Sequence, residues 1–146
     1  MILIKRVYEK FYVTDGMKVL VERLWPRGIR RNTPNVDIWL KNVAPTQELR
    51  KWYMHDPKRW VEFKRRYLNE LKGSKAVEQL MRIALSTDPV TLVYSTSDTK
   101  HSSALILQKY LDRLLKNARA RAMREQASAH AHARVRSGAF ILSARN

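Results

Sequence analysis

The sequence predicts an α/β domain, a small mixed or parallel sheet flanked by helices, followed by a basic C-terminal tail. Three observations carry this. Apolar β-branched runs are separated by stretches of helical period. The run Met17–Leu24 has a near-continuous apolar centre, as expected of a strand buried on both faces. The composition also changes after Leu115: residues 1–115 hold 22 Lys/Arg and 12 Asp/Glu, whereas residues 116–146 hold 7 Lys/Arg and one acid, Glu125.

Ile2 to about Val7 reads as the first strand. Asp15-Gly16 is a turn signal, and Met17–Leu24 is the second strand, ended by Trp25-Pro26-Arg27-Gly28 because Pro cannot continue a ladder. Thr46 precedes a short helix over Gln47–His55. Asp56-Pro57 is a helix start, an N-cap carboxylate followed by Pro at the first helical position. Behind it Trp60, Phe63, Tyr67, Leu68 and Leu71 form one apolar stripe, and Gly73 ends the helix. Val77, Leu80, Met81, Ala84 and Leu85 repeat the stripe in another helix. Pro89 opens the third strand, Val90–Ser95, and a helix from about Lys100 to Leu115 closes the domain. The long helical crossover between the second and third strands predicts that they are parallel. The short link between the first two allows an antiparallel first strand.

The boundaries are therefore a domain over 1–115 and a tail over 116–146. The tail's first half, to about Ala127, is expected to extend the last helix. Beyond Ser128, Ala alternates with His or Arg, no stripe forms, and poor order is expected, with Phe140-Ile141-Leu142 as the only anchor. The domain is expected to fold without the tail.

The formal net charge of +16 makes a polyanion the first partner to consider. With no cysteine, disulfide scaffolds, thiolate metal sites and Cys nucleophiles are excluded. No run of 18 apolar residues spans a membrane, and the start is too short for a signal peptide, so a cytoplasmic protein is expected. Glycine loops for dinucleotides or P-loop phosphates, HExxH and a GxSxG elbow are absent, so no cofactor and no metal is expected.

In open α/β sheets, ligands bind beyond the carboxyl ends of the strands. Those ends supply Glu22, Arg23, Trp25, Arg27 and Gly28 from the second strand, and Asp98 and His101 after the third. Arg23 and Arg27 would hold an anion, most naturally a phosphate. Glu22 or Asp98 would work with His101 as acid and base. Trp25 is a stacking candidate and His55 a further ligand contact. Each has a plainer reading: the arginines as surface charge, Asp98 as a helix cap, the histidines as solvated groups, Trp25 as core.

The strings IKRVYE, DGMKVLVERLWPRG, VDIWLKNVAPTQELRKWYMHDPKRWVEFKRRYLNEL and TLVYSTSDTKHSSALIL resemble the YeaO-like family, domain of unknown function 488. The resemblance runs from about Ile4 to Leu111, with RLWPRG and the later HDPxxW as its specific signature. It implies a small Rossmann-like fold and no particular activity. Its recurrent polar positions fall on Arg23, Trp25, Arg27, Gly28, Lys41, His55, Asp56, Asp98 and His101. Two residues depart from the pattern: Glu22 stands where Asp is usual, and Ser102 where Asn is usual. The functional expectation is binding of, or action on, a phosphate-bearing ligand at the carboxyl edge. The alternative is a non-enzymatic nucleic-acid-binding accessory protein that uses the basic surface and tail, as a monomer or a homo-oligomer.

Overall fold

The computed structural model describes residues 1–145, with side chains described through residue 136. Four strands, β1 (Ile2–Arg6), β2 (Met17–Leu20), β3 (Ile38–Trp39) and β4 (Val90–Tyr94), form one sheet in the order β1-β4-β2-β3, every pair parallel. The helices are α1 (Gln47–Tyr53), α2 (Trp60–Leu71), α3 (Lys75–Ser86) and α4 (Ser103–Arg145).

β4 is hydrogen-bonded along both edges and all five of its residues are buried. Its neighbours run in register, Ile2 opposite Val90 on one side and Met17 opposite Val90 on the other. This corrects the antiparallel expectation for the first strand. β1 never meets β2, because β4 fills the slot between them. The ten-residue link between β1 and β2 therefore crosses about two strand spacings, roughly 10 Å, and returns the length of a strand, roughly 16 Å; ten residues reach that far with only a single 3-10 turn, Val13–Asp15, on the way. β2 is shorter than expected. Its last sheet bond is Val21 N–H to the Val93 carbonyl at 3.0 Å, after which the chain turns away. β3, two residues long, had no signal in the sequence.

At the entry to β2, Gly16 has φ 67°, and a Cβ there would lie 2.0 Å from the Pro89 carbonyl oxygen. The chains entering β2 and β4 thus touch backbone to backbone, and Met17 N–H donates to that same oxygen at 3.2 Å. The buried Thr91 hydroxyl donates to the Asp15 carbonyl at 2.6 Å, closing the junction.

The predicted stripes face the core through Phe63, Tyr67 and Leu71 on α2 and Val77, Leu80 and Ala84 on α3, whereas Leu85, also expected in the stripe, is exposed. α1 ends two residues early, at Tyr53, because Met54 adopts a left-handed conformation that stops the helix. Asp56 caps a single turn, Pro57–Arg59, that leads into α2. On α4 the buried face is Ala104, Ile106, Leu107, Leu111 and Leu115.

The chain divides into two compact units, Met1–Asp112 and Arg113–Asn146. α4 does not stop near Ala127 but continues to Arg145. Ala and Arg favour helix enough to carry it through the alternating pattern. The side chains of Phe140, Ile141 and Leu142 lie outside those described. No helix among the described residues is long and apolar enough to cross a membrane.

Candidate functional site

Parallel pairing of β2 with β4 brings both carboxyl ends to one edge. A pocket of about 550 Å³ opens there. Glu22, from the end of β2, and Ser95, Thr96, Ser97 and Asp98, after β4, line one part of it. His101, Ser102 and Ser103 line it from the start of α4. Ala44, Pro45, Arg50, Tyr53, His55 and Phe63 complete the wall. The size is that of an ordinary small-ligand site.

Glu22 ties the two strand ends together, with Oε1 accepting from Ser95 N–H at 3.1 Å. Burial holds its carboxyl above the usual range, against the opposing pull of the Ser95 amide, Arg50 and His55. Asp98 makes a compact turn: Oδ1 accepts from Lys100 N–H and His101 N–H at 3.1 Å each, and Oδ2 lies 2.9 Å from His101 Nδ1. The His101 hydrogen bond, with help from the amides, holds the Asp98 carboxyl below its ordinary value. His101 also sets its ring edge-on to Trp60, with centroids 5.1 Å apart. Trp60, Phe63 and Tyr53 then form an aromatic wall, Tyr53 stacked on Phe63 at 4.3 Å.

Ser102 is buried, and its hydroxyl accepts from Leu105 N–H at 3.2 Å, so it is the N-cap of α4. Ser and Asn cap helices about equally well, so a Ser in this place keeps the local structure. Asp98 caps the turn before α4 rather than α4 itself. His55 reaches the pocket wall from a left-handed backbone, φ 54°, directly after Met54 at φ 52°.

The other expected site residues lie elsewhere or do other work. Arg23 clamps the pocket wall from behind, donating Nε–H to the Pro45 carbonyl at 3.0 Å and Nη2–H to the Ala44 carbonyl at 2.9 Å. Arg27 is exposed and is not part of the pocket lining; its carbonyl accepts from the Tyr8 hydroxyl at 2.9 Å. Trp25 donates Nε1–H to the Ile29 carbonyl, meets Trp39 edge-on at 5.4 Å and carries the Arg31 guanidinium at 4.8 Å. That cluster packs against Val7, Leu20 and Val93. Gly28 sits at φ 76° in open space. Lys41 lies over the Trp39 ring, and Asp56 caps its turn. Glu22, His55, Asp98 and His101 thus share the pocket, whereas Arg23, Trp25, Arg27 and Gly28 do not line it.

The sequence reading missed Arg50 and Tyr53, both on α1. A signal existed: they are three apart, so a helix puts them on one face, and that helix precedes His55.

A family model described as the inactive DUF488-N3 subclade matches residues 1–133, which takes the match past Leu115 into the tail. Uncharacterized proteins of Mycobacterium tuberculosis (strain H37Rv) and Mycobacterium bovis are each 43% identical over 109 residues, 75% of this chain and 92% of the relative. The uncharacterized protein YeaO of Escherichia coli (strain K12) is 36% identical over 107 residues, 73% of this chain and 93% of the relative. No solved structure shows significant similarity to the chain.

Proposed function

The chain belongs to the YeaO-like DUF488 family, and on that premise we propose that it binds a phosphate-bearing small molecule, of nucleotide size, in the pocket at the carboxyl edge of its sheet. The observation that carries the reading is the lining itself. Arg50, His55 and His101 share about 550 Å³ with the hydroxyls of Ser95, Thr96, Ser97 and Ser103. A guanidinium, imidazole and hydroxyl groups and the start of a long helix together make an oxyanion site. The two acids are both engaged within the protein. Asp98 is engaged by His101 and two amides. The Glu22 Oε1 is taken up by the Ser95 amide, and burial raises its carboxyl above the ordinary value. The Tyr53 ring, stacked on Phe63, gives a base or sugar an apolar surface.

Binding without turnover is favoured because the matching family model is described as inactive. Arg23, one of the two arginines expected to grip the anion, holds backbone carbonyls instead. Arg50 takes that role here. The strand order, with sequence-distant strands as neighbours, supports the Rossmann-like reading of the fold.

The test is calorimetric titration of the full chain with inorganic phosphate, a nucleoside monophosphate and a nucleoside triphosphate. Arg50→Ala should weaken binding by at least about tenfold, the loss of one charge-assisted hydrogen bond. Arg27→Ala should leave it unchanged. No heat from any of the three ligands, or equal affinity in the Arg50 variant, would refute the proposal. Release of phosphate or base during the titration would instead make the Asp98–His101 pair an acid–base catalyst.

A further inference from the structure

Past Ala118 the last helix is bare. Every residue from Arg119 to Arg136 is exposed, on all sides of the helix. Between Lys116 and Arg136 stand six Lys/Arg and one acid, Glu125. The apolar residues there are alanines with Met123 and Val135, and they form no stripe. A helix that is polar all round has no core to face, so its use lies with a partner.

The chemistry selects among partners. A bilayer surface needs an apolar face opposite the charge, and this segment has none. A groove on another protein needs apolar anchors at i, i+3, i+4 and i+7, which are also missing. A polyanion needs only charge and close approach. At 1.5 Å per residue, Lys116–Arg136 is about 30 Å long. Lys116, Arg119, Arg121 and Arg124 follow one another at rises of about 3–5 Å, while successive 100° steps send them around the cylinder. Charge on all sides suits a channel with phosphates on both walls. Alanine between the bases keeps the helix thin.

We propose that the segment Lys116–Arg136 binds duplex DNA in the major groove through the phosphate backbone, independently of base sequence. That groove is about 12 Å wide and admits an α-helix. The A-form major groove of duplex RNA is deep and narrow and does not, which commits the segment to DNA. The helix needs no other part of the chain to present this charge.

The experiment is fluorescence anisotropy of a labelled 20-base-pair DNA with the full chain, from 50 to 200 mM KCl. With up to six phosphates contacted, the slope of log K against log salt should approach about −5, a loss of about 10³-fold across that range. The triple variant Arg119→Gln, Arg121→Gln, Arg124→Gln should flatten the slope by about 2.7, at 0.9 per lost contact. The corresponding Arg→Lys triple keeps the charge and should keep the slope. Circular dichroism of both variants verifies that helix content is intact. An unchanged slope in the Gln variant would place any DNA binding on the compact domain and overturn the proposal. Equal affinity for duplex RNA, or binding to phosphatidylserine vesicles but not to DNA, would overturn it as well.

Discussion

Replacing Gly16 with alanine separates two costs that usually arrive together, backbone strain and steric overlap. At φ 67° and ψ −141° a residue with a side chain is strained, at roughly 1–3 kcal/mol. The new Cβ would also sit 2.0 Å from the Pro89 oxygen and 2.9 Å from its carbon, and both are backbone atoms that no rotamer change can move. Forcing the strands apart adds a further ~1–3 kcal/mol, the usual range for overpacking. It also loosens the Met17–Pro89 hydrogen bond, worth ~1 kcal/mol. The expected loss is about 3–7 kcal/mol, against a total of roughly 5–15 kcal/mol for a domain of this kind. Gly28 is the internal control. Its φ of 76° carries the strain, but nothing lies within 4 Å of a Cβ there, so Gly28→Ala should lose only about 1–2 kcal/mol. Urea unfolding followed by tryptophan fluorescence reads both. With m of about 1.5 kcal/mol/M, the Gly16 variant should lose about 2–5 M in midpoint and the Gly28 variant about 1 M. Equal losses in the two variants would refute the backbone contact at the β2–β4 entrance.

Glu22→Gln should be more stable than the parent at neutral pH. Burial raises the Glu22 carboxyl above 4.5, so its contribution is full below that value and is lost as pH rises through the raised one. Gln keeps the acceptor for Ser95 without the charge, so urea midpoints should coincide in acid and diverge above; a pH-independent offset would contradict this. Tyr67→Phe removes the buried hydroxyl that donates to the Val43 carbonyl at 2.6 Å and should cost about 1–2 kcal/mol by thermal unfolding; a neutral result would mean that the carbonyl finds another donor. Arg23→Lys cannot span both the Ala44 and Pro45 carbonyls, so it should weaken ligand binding as measured by calorimetry while the ligand-contacting residues remain; an unchanged affinity would show that the wall stands without the clamp.

The elements with strong periodic patterns were legible. The stripe from Trp60 to Leu71, the cap at Asp56 and the apolar run at Val90 each state their own structure, because helix period, capping chemistry and double-sided burial are local properties. What failed was relational. The direction of β1 depends on which strand fills the gap beside it, and that strand lies almost ninety residues away. β3 exists only because the Asp37 amide donates to the Lys18 carbonyl and the Leu40 amide to the Leu20 carbonyl; two residues carry no pattern. In the site, Glu22, Asp98 and His101, chosen for their position at strand ends, line one pocket. The same rule put Arg23 and Arg27 there too, because a sequence does not tell which way a long side chain turns after the strand ends. Arg50 was hidden by the opposite problem, one base among 29 on a short helix.

The sheet order has a consequence for how the chain is made. β4 is the last strand to leave the ribosome, yet it is the one to which both β1 and β2 are bonded. Until Tyr94 is synthesised, the first two strands flank an empty slot and the entrance at Gly16 has no Pro89 to close against. At about 5–20 residues per second, some 90 residues of synthesis separate Ile2 from its partner, a wait of roughly 5–18 s. During that interval the apolar strand edges are open to any chain that reaches them, and the first stable sheet forms in a single late step.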